Sequence, residues 1–398
     1  MLALEGITIL DLSGGYPPSF GTGILGDLGA KVINIEGRPA RGERQSAGEA
    51  RRAAAYRTVN RNKKSIILNL KSEQGRYIFY QLAEKVDVIV DPFRPSVANR
   101  LGIDYKTISK INPKIIYCSV TGYGQNGPYR DLPGHDINYI SIAGALNLIG
   151  EADGRPVIPL NLLADLGGAA LHATIGILTA LIARSKTGKG QHIDISYTDS
   201  VISLLTGVAM IYFRDNVVPK RGETLSGGGY PYYNIYETKD GKFITIGCLE
   251  LWLWKNLCRE IGREDFIPFH FDPDHRLHKP EGEKWQEISS YLKQVFLTKT
   301  REEWFELLSK KDVPIGKVYS IDEVFTDPQV LHRKMVIELE HHTEGKVKQV
   351  GIAIKLSDTP GKVRSLPPLA GEHTDKILVC LGYSKQRISQ LRKEGVIS

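Results

Sequence analysis

Short apolar runs rich in β-branched residues recur through the first third of the chain, and segments with helical spacing separate them. The runs are Ile7–Leu12, Lys31–Ile35, Ser65–Leu70, Val86–Val90 and Ile115–Ser119. Strands that alternate with helices form βαβ units, in which consecutive strands lie parallel. The pattern therefore predicts an α/β fold built on an open, Rossmann-like parallel sheet.

Ligands of such sheets bind beyond the carboxyl ends of the strands. Arg38, Arg94 and the loop Thr121–Gly134 each follow a predicted strand, so we expect them to gather at that edge. The glycines after the first strand do not form GxGxxG, and Pro17 and Pro18 lack the backbone donors that a phosphate loop uses. A nicotinamide dinucleotide site is therefore not expected there.

A change of composition after Arg214 indicates a second domain. Aromatic and β-branched residues alternate on both sides of a turn at 239–241, which predicts a hairpin, and a Trp-rich helix follows at 252–261. With 398 residues, the chain is long enough for two or three domains at ~100–200 residues each. We predict a large α/β domain at 1–200, a linker helix at 201–225, a small α+β domain at 226–325 and a return to the large domain at 326–398.

The charge of the chain is mildly basic, +7 at pH 7, and it is spread without long tracts. Nucleic-acid binding is therefore not expected, and either an anionic ligand or a solvated surface accounts for the excess. Four scattered cysteines without a CxxC pair disfavour a zinc ribbon or a disulfide scaffold. No basic region precedes the first apolar stretch, so we expect reduced thiols and a cytoplasmic location.

The apolar run Val157–Ala183 contains Asp165 and His172, which favours a buried helix over a membrane span. An ionised aspartate in such a run must be paired, solvated in a cleft or shifted in pKa. Asp165 is therefore either a capping or ion-paired residue, or an acid–base or nucleophilic group. His135 can exchange a proton near neutral pH, and the carboxylate of Glu250 ends a predicted strand.

Two further groups of side chains are candidate ligand sites. The segment FHFDPDHRLH from Phe269 to His278 offers histidines and aspartates, but its spacing fits no helical metal pair, so no metal site is predicted. Basic residues near strand ends suit phosphate recognition, with a solvated basic face as the alternative. These residues are Arg38, Arg61, Lys63, Lys64, Lys71 and Arg94.

Ordered motifs over nearly the whole chain resemble the class III (CaiB/BaiF-type) CoA-transferase superfamily, and within it the α-methylacyl-CoA racemases. The chain differs from those racemases in a longer Pro39–Asn62 segment and in Leu251–Trp252 after Glu250. The motifs that carry the resemblance are LEGITILDLS, GDLGAKVINIE, NRNKKSIILNLKSEQGR, DVIVDPFRP, NPKIIYCSVTGYGQNGPY, GHDINYISIAGAL, PLNLLADLGG, SKTGKGQHIDIS, GGGYPYYNIYETKDGKFITIGCLE and GEHTDKIL.

The resemblance implies that His135 and Asp165 are the two bases of a 1,1-proton transfer on a 2-methylacyl-CoA thioester, with Glu250 behind them. Related transferases use an aspartate nucleophile and lack the histidine. The resemblance also implies oxyanion donors among the amides of 165–168, and no metal or redox cofactor. The implied CoA contacts are Arg38, Leu68, Asn69, Leu70, Lys71, Arg94, Gly134, Asp136, Ile137, Asn138 and Tyr139.

The implied assembly is an interlocked homodimer that binds acyl-CoA and neither nucleic acid nor membrane. Two other functions stay open at this point. One is a class III CoA-transferase in which Asp165 forms a mixed anhydride with the acyl group. The other is a CoA-binding protein without catalytic activity. His135 and Glu250 favour the racemase.

Overall fold

The computed structural model describes residues 1–37, 59–270, 281–341 and 345–398. Arg38 and most of the Pro39–Asn62 segment therefore lie outside the described residues. The chain divides into two compact units. The sequence predicts 1–200 as one domain, whereas residues 144–159 cluster with unit 2. Unit 1 comprises Met1–Ala143, Leu160–Ser203 and Gln329–Ser398, and unit 2 comprises Gly144–Pro159 and Leu204–Pro328.

Six parallel strands form the sheet of unit 1. In chain order they are β1 (Thr8–Asp11), β2 (Lys31–Glu36), β3 (Lys63–Ile67), β4 (Val88–Asp91), β5 (Ile116–Thr121) and β6 (Gln191–Ser196). Across the sheet the order is β3-β2-β1-β4-β5-β6. This is the strand order of a doubly wound sheet, so the predicted open parallel sheet is confirmed.

The central strands are continuous apolar runs because helices cover both faces of the sheet. Ile9, Leu10, Val88 and Ile89 are all 0% exposed. A helix begins after Ser72, and the Ser72 hydroxyl caps it by accepting a hydrogen bond from the N–H of the third helical residue at 3.0 Å.

The helices of both units vary from one turn to nearly five turns. In chain order they are α1 (Tyr16–Asp27), α2 (Glu73–Ala83), α3 (Pro95–Leu101), α4 (Tyr105–Ile111), α5 (Asp136–Ile142), α6 (Ala145–Leu148), α7 (Leu171–Thr187), α8 (Tyr197–Leu204), α9 (Thr206–Asp215), α10 (Leu251–Glu260), α11 (Glu283–Phe296), α12 (Arg301–Ser309), α13 (Ile321–Val324), α14 (Pro328–His332), α15 (Thr374–Cys380) and α16 (Lys385–Lys393). A π-helix, Leu162–Ala170, leads into α7, and 3₁₀ turns occupy Leu225–Gly227 and Glu264–Phe266.

A buried ion pair joins β1 to β3. Lys63 Nζ lies 2.9 Å from Asp11 Oδ2, and both side chains are 0% exposed. The same ammonium donates to the Ser19 carbonyl oxygen at 2.9 Å and to Thr22 Oγ1 at 2.8 Å. Because Ser19 and Thr22 belong to α1, this network fixes α1 to the sheet. Lys63 is therefore a structural cation and not part of the predicted anion-binding face.

The last residues of the chain complete the wall beside β3. The N–H of Asn69 donates to the Val396 carbonyl oxygen at 2.8 Å, and Leu68 pairs with Ile397 as an antiparallel bridge. Farther up the tail, the guanidinium of Arg364 donates to carbonyl oxygens at the end of α1. The tail therefore packs on the amino-terminal half of the sheet.

Unit 2 contains an antiparallel sheet with an aromatic core. Its strands, in order across the sheet, are β7 (Tyr233–Glu237), β8 (Phe243–Gly247) and β9 (Ile315–Lys317). The predicted hairpin is present as β7 and β8. Trp254, Phe266 and Phe296 are fully buried in the core of this unit. In unit 1, β10 (Val336–His341) and β11 (Gly345–Val350) form a separate antiparallel pair.

The apolar run predicted as a buried helix is helical from Leu162 to Thr187 and only partly buried. Ala173, Ile177 and Ala180 are buried, whereas other apolar side chains of α7 lie in solvent. The prediction of a buried helix therefore holds for one side only, because the other side has no packing partner within the described chain. Among the described residues this is one helix that is long and apolar enough to cross a membrane.

Candidate active site

Asp165 lies in the π-helical segment Leu162–Ala170, where hydrogen bonds span five residues. A glycine permits this winding, since a side chain on Gly168 would begin 2.8 Å from the carbonyl oxygen of Leu163. π-helical turns are frequent at functional sites. The local sequence LLADLGG therefore gives the predicted acid–base residue an uncommon backbone.

The carboxylate of Asp136 holds the backbone that carries Asp165. Asp136 Oδ2 accepts hydrogen bonds from the N–H groups of Ala164 at 2.8 Å and Asp165 at 2.9 Å. Asp136 is 5% exposed and is the first residue of α5, so His135 directly precedes it. The structure therefore brings the predicted histidine and aspartate together within unit 1.

The environment of Asp165 favours the protonated form of its carboxyl. The pKa of Asp165 is raised to about 6, chiefly by burial and also by the negative charge of Asp136. The Asn161 amide, which donates to Asp165 Oδ2 at 3.3 Å, and the nearby His135 act in the opposite direction. Near neutral pH this carboxyl can both accept and return a proton, as an acid–base catalyst must.

His135 is exposed at the start of α5, and its own backbone is well fixed. Its N–H donates to Asn138 Oδ1 at 3.0 Å. The Tyr139 hydroxyl donates to the Gly134 carbonyl oxygen at 2.6 Å, which closes the turn before His135. The ring of Tyr139 also packs 4.9 Å from that of Tyr197. The imidazole is thus accessible on a rigid support.

A cavity of about 900 Å³ opens at the carboxyl ends of the first four strands. Four residues that the resemblance implies as CoA contacts, Leu68, Asn69, Leu70 and Lys71, line it. The other lining residues come from the loop after β1, from the end of β2 and the residue after it, and from α3 and the loop before it. They are Leu12, Ser13, Gly14, Ile35, Glu36, Gly37, Phe93, Val97, Arg100 and Leu101.

Among the described residues, Arg100 is the arginine that lines this cavity, and the predicted Arg94 is not part of the lining. Arg94 is the N-cap of α3, and its positive charge partly opposes the burial that raises the pKa of Tyr139 on α5. Arg100 lies in the last turn of α3 and does not follow a strand, so the positions after the predicted strands do not reveal it. The spacing of Val97, Arg100 and Leu101 is a helical i, i+3, i+4 pattern and could have found it.

Glu250 belongs to unit 2, where it is exposed at the N-cap of α10. The loop before it is fixed by His270, whose Nε2 lies 3.1 Å from the Cys248 carbonyl oxygen. The other histidines and the aspartates of the FHFDPDHRLH segment lie outside the described residues. Within the described ranges, no group of three or more His, Cys, Asp or Glu side chains could hold a metal ion.

One predicted oxyanion donor is corrected by the geometry. The resemblance implies that the backbone N–H groups of 165–168 face a thioester oxygen. The N–H of Asp165, however, donates to the carboxylate of Asp136. Residues 162–170 are also wound into the π-helix and do not form a loop. The N–H of Asp165 is therefore part of the support of the site and is not available to a substrate.

Comparison with known proteins identifies the class to which this fold and site belong. The model of the protein family described as "CoA-transferase family III" matches residues 4–374, and the chain belongs to this family. It is 31% identical over 397 residues to human alpha-methylacyl-CoA racemase, covering 100% of this chain and 98% of that protein. It is similarly close, at 34% identity over 400 residues, to human succinyl-CoA:glutarate CoA-transferase, covering 99% of this chain and 90% of that one.

The likeness extends to bacterial relatives and to solved structures. Formyl-CoA:oxalate CoA-transferase of Bradyrhizobium diazoefficiens is 32% identical over 427 residues, covering 100% of this chain and 97% of that protein. A crystal structure of a CAIB/BAIF family protein from Brucella suis superposes with a TM-score of 0.79 at 28% identity, covering 96% of this chain and 99% of that one. Relatives named as racemases and as transferases are thus about equally similar, and the chain is an enzyme of this superfamily.

Proposed function

We propose that this protein is a racemase-type epimerase that interconverts (2R)- and (2S)-2-methylacyl-CoA thioesters. The observation that carries the proposal is the hydrogen bond that the N–H of Asp165 donates to Asp136. Since Asp136 directly follows His135, this bond holds Asp165 close to His135. A two-base proton transfer needs two groups that can each hold or release a proton at the operating pH. The sequence of the transferases, as the resemblance describes them, lacks this histidine.

The reaction proceeds through an enolate. A thioester acidifies its α C–H bond, and one base removes that proton from one face while the electron pair moves onto the thioester oxygen. The second group, then in its acid form, returns a proton to the opposite face, which inverts the carbon. Proton transfer by positioned groups contributes ~10²–10⁴-fold, and stabilisation of the enolate oxygen a further ~10²–10³-fold.

Asp165 and His135 exchange roles with the direction of the reaction. In one direction the Asp165 carboxylate is the base and the His135 imidazolium is the acid. In the other direction neutral His135 accepts the proton and the Asp165 carboxylic acid supplies one. The raised pKa of Asp165, about 6, supports both roles because neither protonation state is strongly disfavoured at neutral pH.

The cavity at the strand ends supports acyl-CoA as the substrate class. Both apolar and polar residues line this cavity. Among them, Lys71 and Arg100 supply positive charge for phosphate groups. We expect Arg38 to add to this charge, since it directly follows the lining residue Gly37 in the chain. We expect the proton transfer itself to require neither a metal nor a redox cofactor.

Glu250 is proposed as the third member of the site. It begins α10 in unit 2 and is exposed, which suits a group that meets its partners only in the assembled enzyme. We propose that the enzyme assembles as a homodimer. Support comes from Leu171, Ile175 and Ile182 on α7, which are 41%, 59% and 60% exposed. Contiguous exposed apolar surface of this kind marks interaction sites.

A CoA-transferase reaction is the second candidate, since the chain is 34% identical to a relative with that name. Asp165 would then attack the acyl-CoA carbonyl, form a mixed anhydride and release CoA for a second carboxylic acid. The pKa of Asp165, about 6, leaves the carboxylate form available at neutral pH for such an attack, so it does not separate the two reactions. His135, which the transferases lack as the resemblance describes them, favours the epimerase. A CoA-binding protein without catalysis is the third alternative.

One experiment separates the three candidates. A single epimer of a 2-methylacyl-CoA is incubated with the protein in D₂O, with and without an added free acid. Deuterium gain at the α-carbon with loss of chirality is the expected result. CoA transfer to the free acid without deuterium gain would identify a transferase. CoA binding without either reaction would identify a binding protein.

A further inference from the structure

We infer that the side chain of Asp136 is the positioning residue of the site, fixing the Asp165 backbone to the helix that begins after His135. This inference rests on the proposed function for its kinetic tests. The resemblance implies that Asp136 is itself a CoA contact. Its carboxylate, by contrast, points into the protein and is 5% exposed.

The hydrogen bonds of Asp136 account for its burial. One oxygen, Oδ2, receives the N–H groups of Ala164 and Asp165 at 2.8 and 2.9 Å. These N–H groups lie in the first turn of the π-helix Leu162–Ala170, where they have no carbonyl partner earlier in the helix. A carboxylate that accepts two backbone donors replaces those missing partners with charge-assisted bonds.

The same contact links the two proposed bases. His135 and Asp136 are consecutive residues, so the backbone of one base is one peptide bond from the anchor of the other. Rotation or loss of the Asp136 side chain would let the first turn of the π-helix move relative to α5. Displacements of about 1 Å between reacting groups cost roughly 10²-fold in rate.

The anchor also acts electrostatically on Asp165. The negative charge of Asp136 is one cause of the raised pKa of Asp165, after burial. Oδ1 of Asp136 is buried and has no hydrogen-bond partner among the described residues, so the charge is incompletely compensated there. A neutral isostere would keep an oxygen for the two N–H groups while removing this charge.

Other titratable groups near Asp165 must be considered for any pH effect. α5 contributes His135 and Tyr139, and α8 contributes Tyr197, whose pKa is raised chiefly by burial and also by Asp165. His172 on α7 is bonded through Nδ1 to the Gly168 carbonyl oxygen. The remaining groups on the packed elements are Arg184 and Lys186 in the last turn of α7, Asp199 on α8, and Tyr16 and Asp27 on α1. Arg184 is paired with Asp87, and Asp27 with Arg61.

The test compares D136A and D136N with wild type and with D131N as a control in the exposed loop before His135. Three quantities are measured: kcat and KM for epimerisation, the pH profile of kcat, and amide hydrogen exchange of peptides covering 161–170. For D136A we expect kcat to fall by roughly 10²-fold, KM to stay nearly constant and exchange in 161–170 to accelerate. D131N should match wild type.

D136N separates position from charge. We expect wild-type amide protection, a smaller loss of kcat than in D136A, and an acid limb of the pH profile displaced to lower pH, because the carboxylate of Asp165 is no longer opposed by a neighbouring charge. Unchanged kcat and exchange in D136A would overturn the inference. An acid limb of D136N that coincides with wild type would overturn its electrostatic part.

Failure of the proposed function would look different. If wild type transfers CoA and does not exchange the α-proton, the epimerase proposal falls. The amide-exchange comparison still tests the anchor in that case, because it requires no substrate. Altered transfer rates in D136A would then report on Asp165 as the reacting carboxylate.

Discussion

Gly168 faces the carbonyl oxygen of Leu163 so closely that a β-carbon on the glycine would lie 2.8 Å from it. Real β-carbon contacts are longer, so the π-helix around Asp165 depends on this glycine. G168A should therefore lower the free energy of unfolding by about 1–3 kcal/mol, through overpacking against the backbone, and should reduce epimerisation further by moving Asp165. Denaturant unfolding and initial rates measure the two effects.

G207A is the matched control for that substitution. Gly207 lies in the first turn of α9, and a β-carbon there meets nothing within 4 Å. Alanine in a helix is favoured over glycine by roughly 1 kcal/mol, so G207A should be neutral or stabilising. Equal stability losses in G168A and G207A would show that the π-helical contact is not the cause.

The raised pKa of Asp165 leads to a second prediction, which concerns the stability of the folded protein as a function of pH. Its ordinary value of 3.8 is raised to about 6 in the folded protein, mainly by burial. Between these two pH values the folded state holds a proton that the unfolded state has released, so rising pH destabilises the fold. D165N should therefore be more stable than wild type above pH 6 and should lose that advantage below pH 4. Urea unfolding at both pH values measures the difference.

The control for D165N is D199N, which removes an exposed carboxylate from α8. This variant should show no comparable gain in stability at neutral pH. Asp91 offers an independent check in the sheet, because burial also raises its pKa to about 6. A D165N variant that is less stable than wild type at pH 7 would contradict the account of Asp165.

The buried ion pair predicts a large effect of losing one partner. In K63M, Asp11 would remain fully buried without its cation, and the free energy of unfolding should fall by about 3–5 kcal/mol. The double variant D11N/K63M should recover part of that loss, since a neutral pair avoids the unpaired charge. Circular dichroism during denaturation follows both variants. A double variant as unstable as the sum of the two single variants would contradict this reason.

CoA affinity should distinguish the two arginines of the α3 region. Arg100 lines the cavity, so R100A should weaken CoA binding by roughly 10–100-fold, the value of one charge-assisted hydrogen bond. R94A should weaken binding much less, because Arg94 lies at the start of α3 toward Tyr139. Calorimetric titration with CoA at two salt concentrations measures both. A stronger effect of R94A than of R100A would favour Arg94 as the CoA contact, as the resemblance implies.

The proposed homodimer predicts a change of mass after one substitution. I175K places a charge on the exposed apolar side of α7 and should shift the sedimentation profile from dimer toward monomer. Its circular dichroism should stay that of wild type, since Ile175 is 59% exposed in the single chain. A wild-type protein that sediments as a monomer would reject the dimer directly.

The sheet was predictable because β-branched runs such as Val86–Val90 are buried on both faces and bear the pattern of parallel strands. The same reasoning did not predict the exposed side of α7, because this helix carries more apolar residues than the described part of the chain covers. His135 and Asp165 were identified from residue type and resemblance. Their anchor was not, because Asp136 contacts residues 28 and 29 positions away, and sequence spacing carries no information on such a contact.

The pairing of Leu68 with Ile397 and of Asn69 with Val396 has a consequence for biosynthesis. Leu68 and Asn69 line the cavity, yet the strand-like segment that holds them lies far downstream in the sequence and is synthesised long after them. The nascent chain can form most of its parallel sheet early, but the cavity wall stays incomplete until translation reaches residue 397. We therefore expect the nascent chain to bind its ligand only after this downstream segment has paired with Leu68 and Asn69.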